Sequence, residues 1–246
     1  MPEISPPDGS DANAPARRGI ALRIVIVALF AGALVAFFAL GGPEYVNLAT
    51  IKRHRDTLLA FTDAYYAASL VIAFIVYAGA VTFSLPGGLV LSLTMGFVFG
   101  RWVGTALVVV AATIGATLVF LAARYLFADA ARRRMGARGE KINAGFTENA
   151  FSYLLFLRLV PLFPFFLVNL APAFTTIPLR TYVLATAVGI VPGTFVFVNL
   201  GQALGRIDSL QGLVSLDVLA GLGLLALLAL VPAVVQKMRS RRARAA

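Results

Sequence analysis

The chain has 246 residues, 60% of them hydrophobic and 13% charged, with a formal net charge of +10. A soluble domain carries roughly 25% charged residues, whereas here several apolar stretches reach the roughly 20 residues that cross a bilayer core. Composition therefore gives an all-α polytopic membrane protein with a single membrane domain over 19–236, not a soluble fold.

The cations lie beside apolar segments: Arg17, Arg18 and Arg23 before the first, Arg132 to Lys141 after the third, and Lys237 to Arg244 at the end. Loops facing anionic cytoplasmic lipid have this pattern, and nucleic acid is not an expected partner. The chain has no cysteine, which excludes a disulfide framework, a thiolate nucleophile and a cysteine metal site.

Residues 1–18 are polar and read as a disordered cytoplasmic tail. Ile20 to Leu40 follows arginines as a signal peptide would. It is long for that role and ends in "FFALGGPEY" without a small-x-small cleavage site, so it reads as a retained transmembrane helix. After Gly41-Gly42-Pro43, the residues Tyr45, Leu48, Ile51, Leu58 and Thr62 recur at helical spacing, with Lys52, Arg53 and Arg55 on other faces. That is one amphipathic helix lying in the interface. His54, in its polar cluster, reads as a solvated surface residue with no metal or relay partners.

Tyr65 to Trp102 is cut by Leu85-Pro86 and Gly87-Gly88 into two arms, the second too short to span. Either the first arm crosses alone, or both form a re-entrant hairpin with Pro86, Gly87 and Gly88 at its tip. The hairpin accounts for both arms at once. It places the N-terminus, the basic 124–141 loop and the tail 237–246 in the cytoplasm, with Lys52 to Arg55 outside. Val103 to Tyr125 is a span whose Gly104, Ala111, Gly115 and Thr117 let neighbouring helices approach.

The same plan then recurs: an arm (Phe151 to Val160), a proline-marked tip (Pro161 to Pro164), a short second arm to Pro178, and a span from Tyr182 to Leu204. Pro86 falls on Pro164 at a shift of 78 residues, as do Leu89-Val90 on Leu167-Val168 and Gly115 on Gly193. Two inverted repeats are the expectation, each a hairpin followed by a span, with flanking transmembrane helices; the last of these is Asp217 to Val235.

Irregular backbone at membrane depth survives only where protein or a water-filled cavity satisfies its polar groups. A charge there costs about 2.5–3.5 kcal/mol on insertion scales and normally has a task. Arg158, one turn before the second tip, is placed to bind a phosphate bidentately or to tie down carbonyls freed by Pro161 and Pro164. Asn169 bridges helices or contacts a ligand. These four residues are the candidate substrate-binding set; no metal or cofactor is expected.

Phe156-x-Arg158-x-x-Pro161-x-x-Pro164-Phe165, with Asn169, Pro178, Gly189, Pro192, Gly193 and Gly201, resembles the signature of VTT-domain membrane proteins, also called DedA-like or SNARE-associated Golgi proteins. In the first half "SLPGG" at 84–88, "MGFVFG" at 95–100, Gly104, Gly115 and Ala123-Arg124-Tyr125 also fit, and the resemblance covers about 65–205. It is nearer to the broad VTT branch than to DedA proper. The resemblance implies two opposed re-entrant hairpins and movement of lipid across a bilayer, as phospholipid scramblases or as flippases of polyprenyl-phosphate carriers. DedA proteins carry acids where this chain has Val76 and Gly88, and a second arginine where it has Pro164. Proton coupling is therefore not expected.

The leading expectation is a scramblase- or flippase-type lipid transporter in the plasma or inner membrane. It would touch phosphate headgroups and the anionic cytoplasmic leaflet, with a homo-oligomer left open. A secondary transporter of a small ion or solute and a non-transporting protein that recruits partners are the alternatives. No nucleophile–base pair, metal cluster or phosphate-cradling loop points to an enzyme.

Overall fold

A computed structural model describes residues 14–148, 150–159 and 165–205, and its regular structure is helical throughout. In chain order these are α1 (Ala14–Ala39), α2 (Gly42–Tyr45), α3 (Leu48–Arg53), α4 (Arg55–Ala64), α5 (Tyr66–Thr82), α6 (Gly88–Glu148), α7 (Ala150–Leu159), α8 (Phe165–Leu170), a 3-10 turn (Ala171–Phe174) and α9 (Leu179–Gly205). Stretches in α1, α6 and α9 are long and apolar enough to cross a membrane. The tip prolines Pro161 and Pro164, the last predicted helix and the basic tail lie outside the described residues.

α1 begins at Ala14, so the helix takes in the end of the stretch read as a tail. None of its apolar window Ala21–Ala39 is buried among the described residues. Two ring contacts fix its place: Phe30 meets Phe83 at 5.4 Å, and the Arg23 guanidinium sits 5.6 Å from the Tyr125 ring.

The single amphipathic helix expected after Gly41 is in fact three short ones. Gly41 turns the chain at φ 73°, where a side chain would be strained. The Asn47 side-chain oxygen then accepts from the backbone N–H of Ala49 and Thr50, at 2.7 and 3.3 Å, and caps a new helix, α3. Such a cap overrides a continuous apolar stripe. α4 follows after His54 and meets α5 at a 120° bend.

α5 and the start of α6 double back on each other. Tyr77 bonds Ser92 at 2.9 Å near the tip, and the rings of Tyr66 and Phe99 meet at 6.1 Å at the open end. Gly87, at φ 110°, makes the tip. Although α6 is helical from Gly88 to Glu148, Gly100 has φ 75° and reverses it. A Cβ on Gly104 would lie 2.7 Å from the Met95 carbonyl oxygen. In a straight helix residues nine apart stand about 13 Å apart. α6 is thus a short returning arm, 88–99 (α6a), and a long helix, 101–148 (α6b).

The basic stretch read as a loop at 124–141 is part of α6b. It holds no proline and is rich in Ala and Arg, which favour helix once the apolar run has ended.

α6b and α9 form the antiparallel centre of the bundle. Phe120 stacks on Tyr182 at 4.2 Å at one end, and Trp102 meets Phe195 at 5.5 Å towards the other. Ala111, Ala116 and Ala185 are fully buried between them, small enough for close packing. The first hairpin starts at the Gly100 end and reaches Gly115, where a Cβ would lie 2.7 Å from the Ala78 carbonyl oxygen. α5 thus reaches only part-way along α6b before the chain returns. α7, α8 and the 3-10 turn pack at the other end, where Phe127 meets Phe174 at 6.3 Å. The 78-residue shift that pairs the prolines also maps the Gly104–Val198 contact onto the Tyr182–Phe120 stack.

Candidate functional site

Arg158 is a cation whose guanidinium is buried within the bundle. α7 carries it to Gly189, near the middle of α9, where a Cβ on the glycine would sit 2.6 Å from the arginine's own Cβ. Only a residue without a side chain lets α7 approach this closely. From there the guanidinium reaches three neutral groups. Nη1 donates to Asn169 Oδ1 at 2.7 Å; Nη2 donates to the Tyr182 hydroxyl at 2.9 Å and to Thr186 Oγ1 at 3.1 Å. Tyr182 in turn donates to the Ala116 carbonyl at 3.2 Å, and the arginine lies 5.5 Å from its ring.

One side chain therefore joins both arms of the second hairpin to α9, and through Tyr182 to α6b. Of the four candidate substrate-binding residues, the two that are described, Arg158 and Asn169, are directly bonded. Asn169 is fully buried and its Nδ2 has no hydrogen-bond partner among the described residues. An unpaired buried donor is costly, so the site has unused capacity for an acceptor.

Pro86, Gly87 and Gly88 lie at the turn between α5 and α6 and do not meet this cluster. Gly87 instead lies under Val46 of the α2–α3 junction, at a distance a Cβ could not share.

Sequence reasoning passed over Tyr182 and Thr186 and knew Gly189 only from the family resemblance. A signal was present: positions 182, 186 and 189 share one helix face, so a polar-polar-glycine stripe faces the arginine.

Each end of the α6b–α9 pair is closed by a polar tie. At one end Gln202 Oε1 accepts from the Arg101 backbone N–H at 2.9 Å and from Arg101 Nε at 3.0 Å, capping α6b just after its reversal. At the other, Arg124 Nη2 donates to the carbonyls of Thr175 and Ile177 at 2.8 and 2.7 Å, while its guanidinium lies 4.3 Å from the Phe120 ring. No Asp or Glu occurs between Ala64 and Ala128 or between Ala150 and Arg206. The described core thus contains arginines and no carboxylate of its own.

The chain is similar to known membrane proteins. The VTT domain matches residues 85–203. The "Transmembrane protein 41 homolog" of Dictyostelium discoideum is 30% identical over 194 residues, 78% of this chain and 58% of that protein. The "Transmembrane protein 41B" of Danio rerio is 27% identical over 241 residues, covering 93% of this chain and 86% of the fish protein, and its human namesake is 24% identical over 230 residues. No solved structure matches.

Proposed function

Taking as premise that the chain belongs to the VTT-domain membrane protein family, we propose that it moves lipid between leaflets, as a scramblase not coupled to protons. The observation that carries this reading is Arg158, held beside Gly189 near the middle of α9 and bonded to Asn169 of α8. A cation costs several kcal/mol at membrane depth and repays that cost by attracting an anion; a lipid phosphate is the anion a bilayer supplies.

An opposed pair of broken helices is also how transporters present a site at the midplane, and this supports the inverted-repeat reading. The reading includes a plasma or inner membrane location and no enzymatic step. Val76 points outwards, half exposed, and Gly88 is exposed, so neither position offers an ionisable relay.

The test is reconstitution with a headgroup-labelled phospholipid and a membrane-impermeant quencher. Protein-free vesicles should lose about half the signal, the outer-leaflet share, and active vesicles nearly all of it. The extra loss should be unchanged by an imposed pH gradient or membrane potential. Vesicles that stay at half until a proton gradient is imposed would replace the scramblase with a proton-driven flippase. Vesicles that stay at half under every condition would exclude lipid movement.

A further inference from the structure

Away from the Arg158 cluster, a cavity of about 250 Å³ lies between the α2–α4 strap and the returning arm α6a. Ile51 and Leu58 of the strap face Leu91 of the arm, and Thr50, His54 and Thr94 complete the wall. The polar atoms in that wall are turned onto backbone. Thr50 Oγ1 donates to the Glu44 carbonyl and Thr94 Oγ1 to the Val90 carbonyl, each at 2.8 Å, and His54 Nδ1 donates to the Thr50 carbonyl at 3.0 Å. With Tyr45 and Val46 completing the lining, the surface facing the cavity is predominantly carbon.

Water needs two to four polar partners to occupy a cavity, and this one offers few. An open apolar cavity against a bilayer takes hydrocarbon instead. The strap also carries the sequence run Lys52-Arg53-His54-Arg55, with Arg53 exposed. Cations on the polar face of an interfacial helix meet anionic headgroups. Val46, seated on Gly87, holds the strap against the hairpin tip so that chain slot and cation run keep a fixed relation.

We propose that this cavity seats one acyl chain of an anionic bilayer phospholipid, with its phosphate on the Arg53 side of the strap. The site is separate from Arg158 and does not depend on whether the protein moves lipid.

The test uses the full chain in nanodiscs with a phosphatidylglycerol carrying a diazirine on one acyl chain, followed by irradiation and peptide mass spectrometry. Label should concentrate at least fivefold on peptides containing Ile51, Leu58 and Leu91 over those of lipid-facing α1. Leu91→Trp, which fills the cavity from the arm, and Ile51→Trp, which fills it from the strap, should each remove that excess. Unchanged α1 labelling would show that the fold is intact. A diacylglycerol with the same diazirine should label the cavity less, and Arg53→Glu should lower the phospholipid to the diacylglycerol level. Equal labelling by both probes with Arg53→Glu silent would mean unspecific filling and overturn the proposal. So would label spread evenly over all lipid-facing peptides and indifferent to both tryptophans.

Discussion

Hydrogen bonds to Asn169 on one side and to Tyr182 and Thr186 on the other need two nitrogens held apart by a rigid plane, which Arg158 supplies and a lysine ammonium does not. Arg158→Lys should lose at least one charged hydrogen bond, worth about 1.5–3 kcal/mol. Thermal unfolding in detergent should show a lower midpoint, and lipid movement should fall with it. Tying helices together and attracting an anion are separable roles. Asn169→Asp keeps the oxygen that accepts from Arg158, removes the unpartnered Nδ2 and adds a counter-charge. It should hold or raise the unfolding midpoint while cutting lipid movement at least tenfold. Full activity of this variant would leave Arg158 a purely structural tie. Arg158 and Asn169 were legible in the sequence because a charge and an amide stand out in an apolar run. Tyr182 and Thr186 were not, since either residue is ordinary in a buried helix until a partner is known.

Among the elements, α6a and α9 cross with their backbones in direct contact. A Cβ on Gly96 would overlap the Val198 carbonyl, and one on Gly201 would overlap the Leu93 carbonyl. Neither carbonyl belongs to a flexible side chain, so nothing can move aside cheaply. Gly201→Ala should destabilise by about 1–3 kcal/mol, the usual cost of overpacking, read as a lower unfolding midpoint. Ala203→Gly, also at a buried position on α9, adds no atom and should cost about 0.5–1 kcal/mol, the backbone penalty of a helical glycine alone. Gln202→Ala should cost about 0.5–2 kcal/mol, because it uncaps α6b. The element pattern was readable where apolar length and glycine breaks coincide, as at the first hairpin. It failed where the apolar signal stopped but the backbone did not, as beyond Tyr125 in α6b. It failed again where one polar side chain, Asn47, restarted a helix inside a periodic stripe.

For the whole molecule, the Arg23–Tyr125 contact places the start of α1 and the basic part of α6b at the same end of the bundle, while Arg101 and Gln202 mark the other. By the positive-inside rule, the Arg23 end is expected to be the cytoplasmic one. In a chain free of cysteine, Arg18→Cys and Arg132→Cys should therefore resist a membrane-impermeant thiol reagent in intact cells, and exposed Trp102→Cys should react. The reverse pattern would invert the topology. Sequence alone left the first arm of the hairpin undecided, because loop charge is the same whether it crosses or returns. The Ala78–Gly115 contact supplies what charge counting lacks, a level along the helix pair.

The contacts that exchange under the 78-residue shift bear on ancestry. Two contacts that interconvert in this way are what a two-fold axis between identical chains produces. A half-length forebear that inserted both ways up would make both contacts with a second copy of itself, and tandem fusion through 128–149 would give the present chain. On that reading the halves would since have diverged. The shift carries Arg158, Asn169, Tyr182 and Thr186 onto Ala80, Leu91, Gly104 and Val108. One half has kept or gained a charged cluster, and the other presents only apolar residues at the same places. Fusion is what makes that asymmetry heritable: in a symmetric pair every substitution appears twice, whereas in a fused chain one half can specialise while its twin remains scaffold.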